Sequence, residues 1–360
     1  MRTDHGGDWA GFYNQQGRMP LDFSASISPL GVPEGVQRAV RDAAARSDRY
    51  PDPKCRALRA ALSEAEGVPI DRILCGNGAA DLIYRIAFAA RPRTGAVLDP
   101  SFSEYAAALS AAGCTEIRRI PLDPAWGVRL DEVFLDALTP DLDLLYLCQP
   151  NNPTGISIPM ALFRRILERC RENGIRLGLD LCFLDFLEDP NTLDAKAFLD
   201  AYPNLVIFRA FTKLYAMAGL RLGYALCGDP AFLRSMDAAG PPWNVSLIAQ
   251  EAGIAALRER AYVQSLRALI ARERPRLREG LEALGLRTVP GEANFLLFQS
   301  PVPLDEPLRR RGILIRPCGS LSGPDTWWYR TAVRTETDNQ ILLRTLQEIL
   351  REANPRWQTV

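Results

Sequence analysis

Over the first two thirds of the chain, short unbroken apolar runs alternate with longer stretches in which apolar positions recur every three or four residues. Gly95 to Leu98, Leu144 to Cys148, Arg176 to Leu181, Leu205 to Arg209 and Leu222 to Cys227 are runs of the first kind. At that length, continuous apolar character predicts strands buried on both faces. Ala79 to Ala90, Ser103 to Ala112 and Pro159 to Asn173 have the spacing of amphipathic helices. Alternating strands and helices predict an α/β fold built on a large, doubly wound, mostly parallel sheet. In such a sheet, functional residues gather beyond the carboxyl ends of the strands.

After Pro241-Pro242-Trp243 the pattern turns helical from Val245 to about Leu284, with an Arg-rich polar face, and stops at Gly285. A solvated connector between two domains is expected there. Asn294 to Phe298, Ile313 to Arg316 and Tyr329 to Val333 then read as strands, and a helix begins at Glu336, which outlines a small α/β domain. The expected division is an N-terminal arm (1–32) packing with the small domain, a large domain (33–243), a connecting helical region (244–285) and the small domain (286–360).

Composition narrows the possibilities. With 360 residues, 47% hydrophobic and 24% charged, the chain has the make-up of an ordered globular enzyme. Its 43 basic residues balance 43 acidic ones, so no global field exists to gather nucleic acid or an anionic membrane. Met1 to Asp8 lacks the apolar core of a signal peptide, and the most apolar later stretch, Ile175 to Leu187, is interrupted by Asp180 and Asp185. A cytoplasmic protein with a small-molecule partner is expected. The eight cysteines lie singly, without a Cys-x-x-Cys pair, so neither a zinc site nor a disulfide frame is expected. His5 is the only histidine, which rules out a multi-histidine metal site and leaves proton transfer to other groups.

An amine nucleophile has three candidates, Lys54, Lys196 and Lys213. Lys213 follows the Leu205 to Arg209 run, and its apolar neighbours disfavour the charged ammonium. A desolvated amine is the better nucleophile toward an aldehyde. Arg221 lies eight residues further on. Gly76-Asn77-Gly78-Ala79-Ala80-Asp81 follows an apolar run and opens a helix, so the N–H groups of Gly78, Ala79 and Ala80 would face a bound anion. The same string also fits a plain tight turn or an incomplete dinucleotide fingerprint. Pro150-Asn151-Asn152-Pro153-Thr154-Gly155 follows the Leu144 to Cys148 run, and Asp180 stands where a buried carboxylate demands a partner. Leu181 to Phe186 reads as continued apolar structure rather than a helix start.

Together, Phe211-Thr212-Lys213, Arg221, the Asn152 loop and the Gly78 turn resemble the motifs of fold-type-I enzymes dependent on pyridoxal 5'-phosphate (PLP). The resemblance implies that Lys213 carries the cofactor as a Schiff base and that Asp180 meets its pyridine nitrogen. It further implies that Asn152 donates to the phenolic oxygen and that Phe102 stacks on the ring. Arg221, Thr212, Gly78, Ala79 and Ala80 would hold the phosphate. Tyr50, in Arg49-Tyr50-Pro51-Asp52-Pro53, matches a tyrosine that reaches the neighbouring subunit's cofactor, which implies a homodimer with shared active sites.

Over almost its whole length the chain is similar to threonine-phosphate decarboxylases of cobalamin biosynthesis, in His5-Gly6-Gly7-Asp8, Leu21-Asp22-Phe23-Ser24-Ala25, Pro242-Trp243-Asn244-Val245 and at Phe183. This implies decarboxylation of O-phospho-L-threonine to (R)-1-aminopropan-2-yl phosphate. Arg330 would take the α-carboxylate, and Arg316, His5 and Ser26 the phosphate. An aminotransferase of histidinol-phosphate type stays open as an alternative, as does a non-catalytic protein of the same fold. The departures from the family pattern are Ala210 for a serine that binds the cofactor phosphate, Ser26 for an asparagine near the substrate, and Leu181-Cys182 after Asp180.

Overall fold

Seven strands form the central sheet of the computed structural model, which describes residues 6–122, 132–189, 194–319 and 327–353. Their order across the sheet is Ile73–Gly76, Gly223–Cys227, Leu205–Ala210, Arg176–Asp180, Leu144–Cys148, Thr94–Asp99 and Glu116–Pro121. Gly223–Cys227 runs antiparallel to both of its neighbours, and the other strands share one direction. All their carboxyl ends therefore lie along one edge of the sheet.

The inner strands are apolar throughout because both faces are covered. Leu145, Leu147, Leu205 and Ile207 enter one core, while Leu144, Tyr146, Val206 and Phe208 enter the other. This alternation is the strand periodicity acting on two helical layers. Gly178 makes room for a large neighbour: a Cβ there would lie 2.9 Å from the Tyr146 ring. Tyr146 is buried and donates its hydroxyl to the Ile83 carbonyl at 2.7 Å. At the open edge, Glu116–Pro121 carries Arg118, paired with Glu116 and Asp141, and ends in proline, which discourages further pairing.

Three expectations need correction. The connector is two helices, Leu247–Ala256 and Arg260–Ala283, rather than one continuous run. The first packs on Glu34–Ala44 of the large domain and the second on the C-terminal helix Glu336–Ala353, so the chain bends between them to serve two partners. Ile313 to Arg316 divides between two sheets: Ile313–Leu314 pairs in parallel with Leu21–Asp22 of the arm, and Arg316–Pro317 joins the four-stranded antiparallel sheet of the small domain. The stretch after Asp180 is a turn followed by a short 3-10 helix, Leu184–Phe186. Among the described residues, no helix is long and apolar enough to cross a membrane.

The turn that opens the helix Gly78–Ala90 is fixed by Asp81. Its carboxylate accepts the Asn77 backbone N–H at 2.9 Å, the Asn244 amide at 2.7 Å and the Arg85 guanidinium at 2.9 Å. Arg85 is only 3% exposed at its side chain. Asp81→Ala leaves that buried cation with only the Met236 and Asp237 carbonyls and no counter-charge, and removing one partner of a buried pair costs about 3 kcal/mol. A urea unfolding curve is expected to show a loss of that order; a loss of a few tenths would contradict this account of the turn.

Candidate active site

The strand register brings the candidate residues to one edge. Cys148 lies beside Asp180, Asp180 beside Phe208, and Gly223 between Ala210 and Gly76. The Asn152 loop, Asp180, Lys213, Arg221 and the Gly78 turn each leave the sheet at or just beyond these positions.

At one end of the edge stands a cradle for an anion. Asn77 makes no side-chain cap, so the first N–H groups of the Gly78–Ala90 helix lack an intrahelical acceptor and face outward from the helix start. Gly78 has a left-handed φ of +80°, and a Cβ on it would lie 2.8 Å from a terminal nitrogen of Arg221. A Cβ on Gly223 would lie 2.7 Å from the Ala79 nitrogen. Two glycines thus let helix start and guanidinium close on one spot. Arg221 itself adopts φ 56°, and its guanidinium donates to the Ala218 carbonyl at 3.3 Å. Backbone donors, helix dipole and guanidinium all favour a phosphate there.

In the middle lie an acid and an amine. Asp180 is 5% exposed, and its two oxygens accept the Tyr105 hydroxyl at 2.7 Å and the Cys182 N–H at 2.9 Å. The Cys182 bond closes the turn after the strand. Burial, with the Asp180 charge adding, pushes the Tyr105 hydroxyl well above its ordinary pKa, so it remains a donor to the carboxylate. Phe102 meets Tyr105 edge-on, with ring centroids 5.5 Å apart. The Lys213 amine is held down at about 8 by burial first and then by the charges of Arg330 and Arg221, against Cys182 and Asp180.

Across from them the small domain presents two arginines. Arg330 and Arg316 sit directly opposite each other on paired strands. Arg330 is buried and donates to the Asn152 side-chain oxygen at 2.5 Å and to the Ser24 carbonyl at 2.9 Å, while its Nε has no partner among the described residues. Ser26 is fully buried, and its hydroxyl too has no partner among them. The Asn294 amide donates to the Ser26 carbonyl at 3.1 Å.

The structure thus brings Lys213, Asp180, Asn152, Arg221, Arg330, Arg316 and the Gly78 turn to one region. Thr212 is buried beside Lys213. Tyr50 stands apart: it is 82% exposed and packs on Trp243, with ring centroids 5.0 Å apart. His5 lies outside the described residues. Tyr105 and Asn294 were not singled out by sequence reasoning. Tyr105 carries a signal, since it lies in the first turn of the helix Ser103–Ala111 that Phe102 precedes; Asn294 carries none beyond standing just before the strand Phe295–Ser300.

These residues fit PLP: a phosphate cradle at the helix start, a primary amine, and a buried acid for the pyridine nitrogen. Below about 8 the Lys213 amine is protonated and above it neutral, so its attack on an aldehyde gains with rising pH only up to that value. Stopped-flow absorbance of cofactor-free protein mixed with PLP should show a capture rate that climbs toward pH 8 and then levels. A rate still climbing at the ordinary lysine value, about 10.4, would contradict this.

The aminotransferase class I and II family model matches residues 19–346. The threonine-phosphate decarboxylase of Salmonella typhimurium is 40% identical over 334 residues, covering 92% of this chain and 91% of that one. The histidinol-phosphate aminotransferase of Symbiobacterium thermophilum is 36% identical over 338 residues, with the same coverage. Further curated relatives, 30% to 35% identical, are mostly histidinol-phosphate aminotransferases. The crystal structure of histidinol-phosphate aminotransferase from Sinorhizobium meliloti, in complex with pyridoxal-5'-phosphate, superposes with a TM-score of 0.86 at 24% identity, over 98% of this chain and 96% of that one, a likeness of fold. With its mixed sheet, its smaller second domain and a family match over most of its length, the chain belongs to the class I and II aminotransferase family of fold-type-I enzymes.

Proposed function

We propose that the chain holds PLP at Lys213 and acts at the Cα of a small amino substrate that carries a phosphate. The observation that carries this reading is Arg330, which is buried, has an Nε with no partner among the described residues, and is among the charges that depress Lys213. An anionic ligand group relieves it. Arg330 takes the carboxylate through its planar fork, and Arg316 takes the phosphate, with His5 and Ser26 completing that end.

Bound in this site, PLP supplies an electron sink for the bond broken at Cα. Asp180, which accepts the Tyr105 hydroxyl and the Cys182 N–H, would pair with the pyridine nitrogen. Lys213 moves a proton to or from Cα. Phe102 would pack on the cofactor ring, Asn152, which accepts from Arg330, would meet its phenolic oxygen, and Arg221, Thr212, Gly78, Ala79 and Ala80 would hold its phosphate. The exposed Tyr50 serves a neighbouring subunit in a homodimer with shared sites.

Two outcomes at Cα share this machinery. Transamination of histidinol-phosphate type has the support of most of the relatives. Decarboxylation of O-phospho-L-threonine has the support of the 40% identity and of Phe183, whose ring packs edge-on against Phe295 at 5.0 Å and offers no hydroxyl to the cofactor. Mass spectrometry of products from O-phospho-L-threonine, and from histidinol phosphate with 2-oxoglutarate, separates them. Loss of CO2 from the first supports the decarboxylase; amino transfer to 2-oxoglutarate supports the aminotransferase. Neither product, with cofactor bound, would remove both assignments, and Lys213→Ala is expected to abolish whichever is found.

The cradle gives a second test. Gly78→Ala places a Cβ against Arg221 at a left-handed backbone position, a strain of about 1–2 kcal/mol. Cofactor affinity, read by titrating cofactor-free protein with PLP, should fall about tenfold. Unchanged affinity would place the phosphate elsewhere.

A further inference from the structure

We infer that Asn294 is a positioning residue that sets the separation between Arg330 and Lys213. It contacts neither the reacting atoms nor the cofactor cradle, and works through the arm segment Asp22 to Ser28. That segment is tied at both ends and in its middle. At its start, Phe23 donates its N–H to the Leu314 carbonyl at 2.8 Å and accepts the Ala332 N–H at 2.9 Å. Next, the Ser24 carbonyl accepts the Arg330 guanidinium at 2.9 Å. At its far end, Ser28 donates its N–H to the Lys213 carbonyl at 3.0 Å, and its hydroxyl meets that of Tyr262 at 2.6 Å.

The middle is held by Asn294. It is fully buried and donates its amide to the Ser26 carbonyl at 3.1 Å, while its own carbonyl accepts the Val333 N–H at 2.8 Å. Val333 follows directly on the strand that carries Arg330. One residue therefore links the Arg330 strand, the arm and, through Ser28, the backbone of Lys213. The Asn294 side-chain oxygen has no partner among the described residues, so the hydrogen bond from its NH2 group to the Ser26 carbonyl is what this buried side chain contributes. Without it the Ser26 carbonyl loses its donor in a buried setting, the span between Ser24 and Ser28 relaxes, and the Ser24 grip on Arg330 loosens.

The inference rests on the proposed roles of Lys213 and Arg330, so its test reads both. Asn294→Ala and Asn294→Leu, the second keeping the interior filled, are compared with the unaltered protein. The first readout is the pH midpoint for covalent capture of PLP by cofactor-free protein. The second is the KM and kcat for whichever of O-phospho-L-threonine or histidinol phosphate is turned over. As Arg330 recedes from Lys213, the midpoint should move up by about half a unit, and KM should rise about tenfold with kcat changed far less. A fall in thermal stability with midpoint and KM both unchanged would overturn the inference and leave Asn294 a structural residue. If the unaltered protein shows no pH break in capture, the Lys213 reading itself fails and the inference falls with it.

Discussion

The site depends on a primary amine kept from full protonation at the edge of a buried sheet. Lys213 sits in a setting where burial and two guanidinium groups, Arg330 and Arg221, all work against its positive charge. Free ammonium in water would be a poor nucleophile at neutral pH; the folded chain lowers the cost of exposing the lone pair. Under the proposed function the same arginines also receive the anionic groups of cofactor and substrate, so that nucleophile activation and anion recognition would arise from one distribution of charge.

That distribution has to be imposed by parts that do not move apart. Arg330 is buried, so its position is unfavourable unless other bonds hold it. Asn152 from the large domain and Ser24 from the arm supply them. On the other side, Asp81 fixes the turn that presents Gly78, and two glycines allow Arg221 and the helix start to meet. Asp180 is buried with both oxygens satisfied, one by the Tyr105 hydroxyl and one by the Cys182 N–H. The site is assembled from the large sheet, the small domain and the arm, which is why elements distant in sequence share one function.

The motifs that the structure brings to one edge of the sheet were legible from residue type and spacing: an amine after a strand, an arginine eight residues on, an asparagine loop, glycines before a helix. The central strands were legible because burial on both faces leaves unbroken apolar runs. What escaped depended on tertiary partners. The bend between Ala256 and Arg260 reflects two helices packing on different domains, which a continuous helical pattern does not reveal. The division of Ile313 to Arg316 between two sheets comes from the arm claiming Ile313 and Leu314. The turn after Asp180 is closed by the Asp180 carboxylate itself, a local bond hidden inside an apolar run. Asn294 matters only because Ser26, far away in sequence, lies against it.

Borohydride reduction of the protein supplied with PLP, followed by peptide mapping, tests the central claim most directly. The account predicts one reduced cofactor adduct per chain, on the peptide containing Lys213. An adduct on Lys54 or Lys196, or none at all, would contradict it.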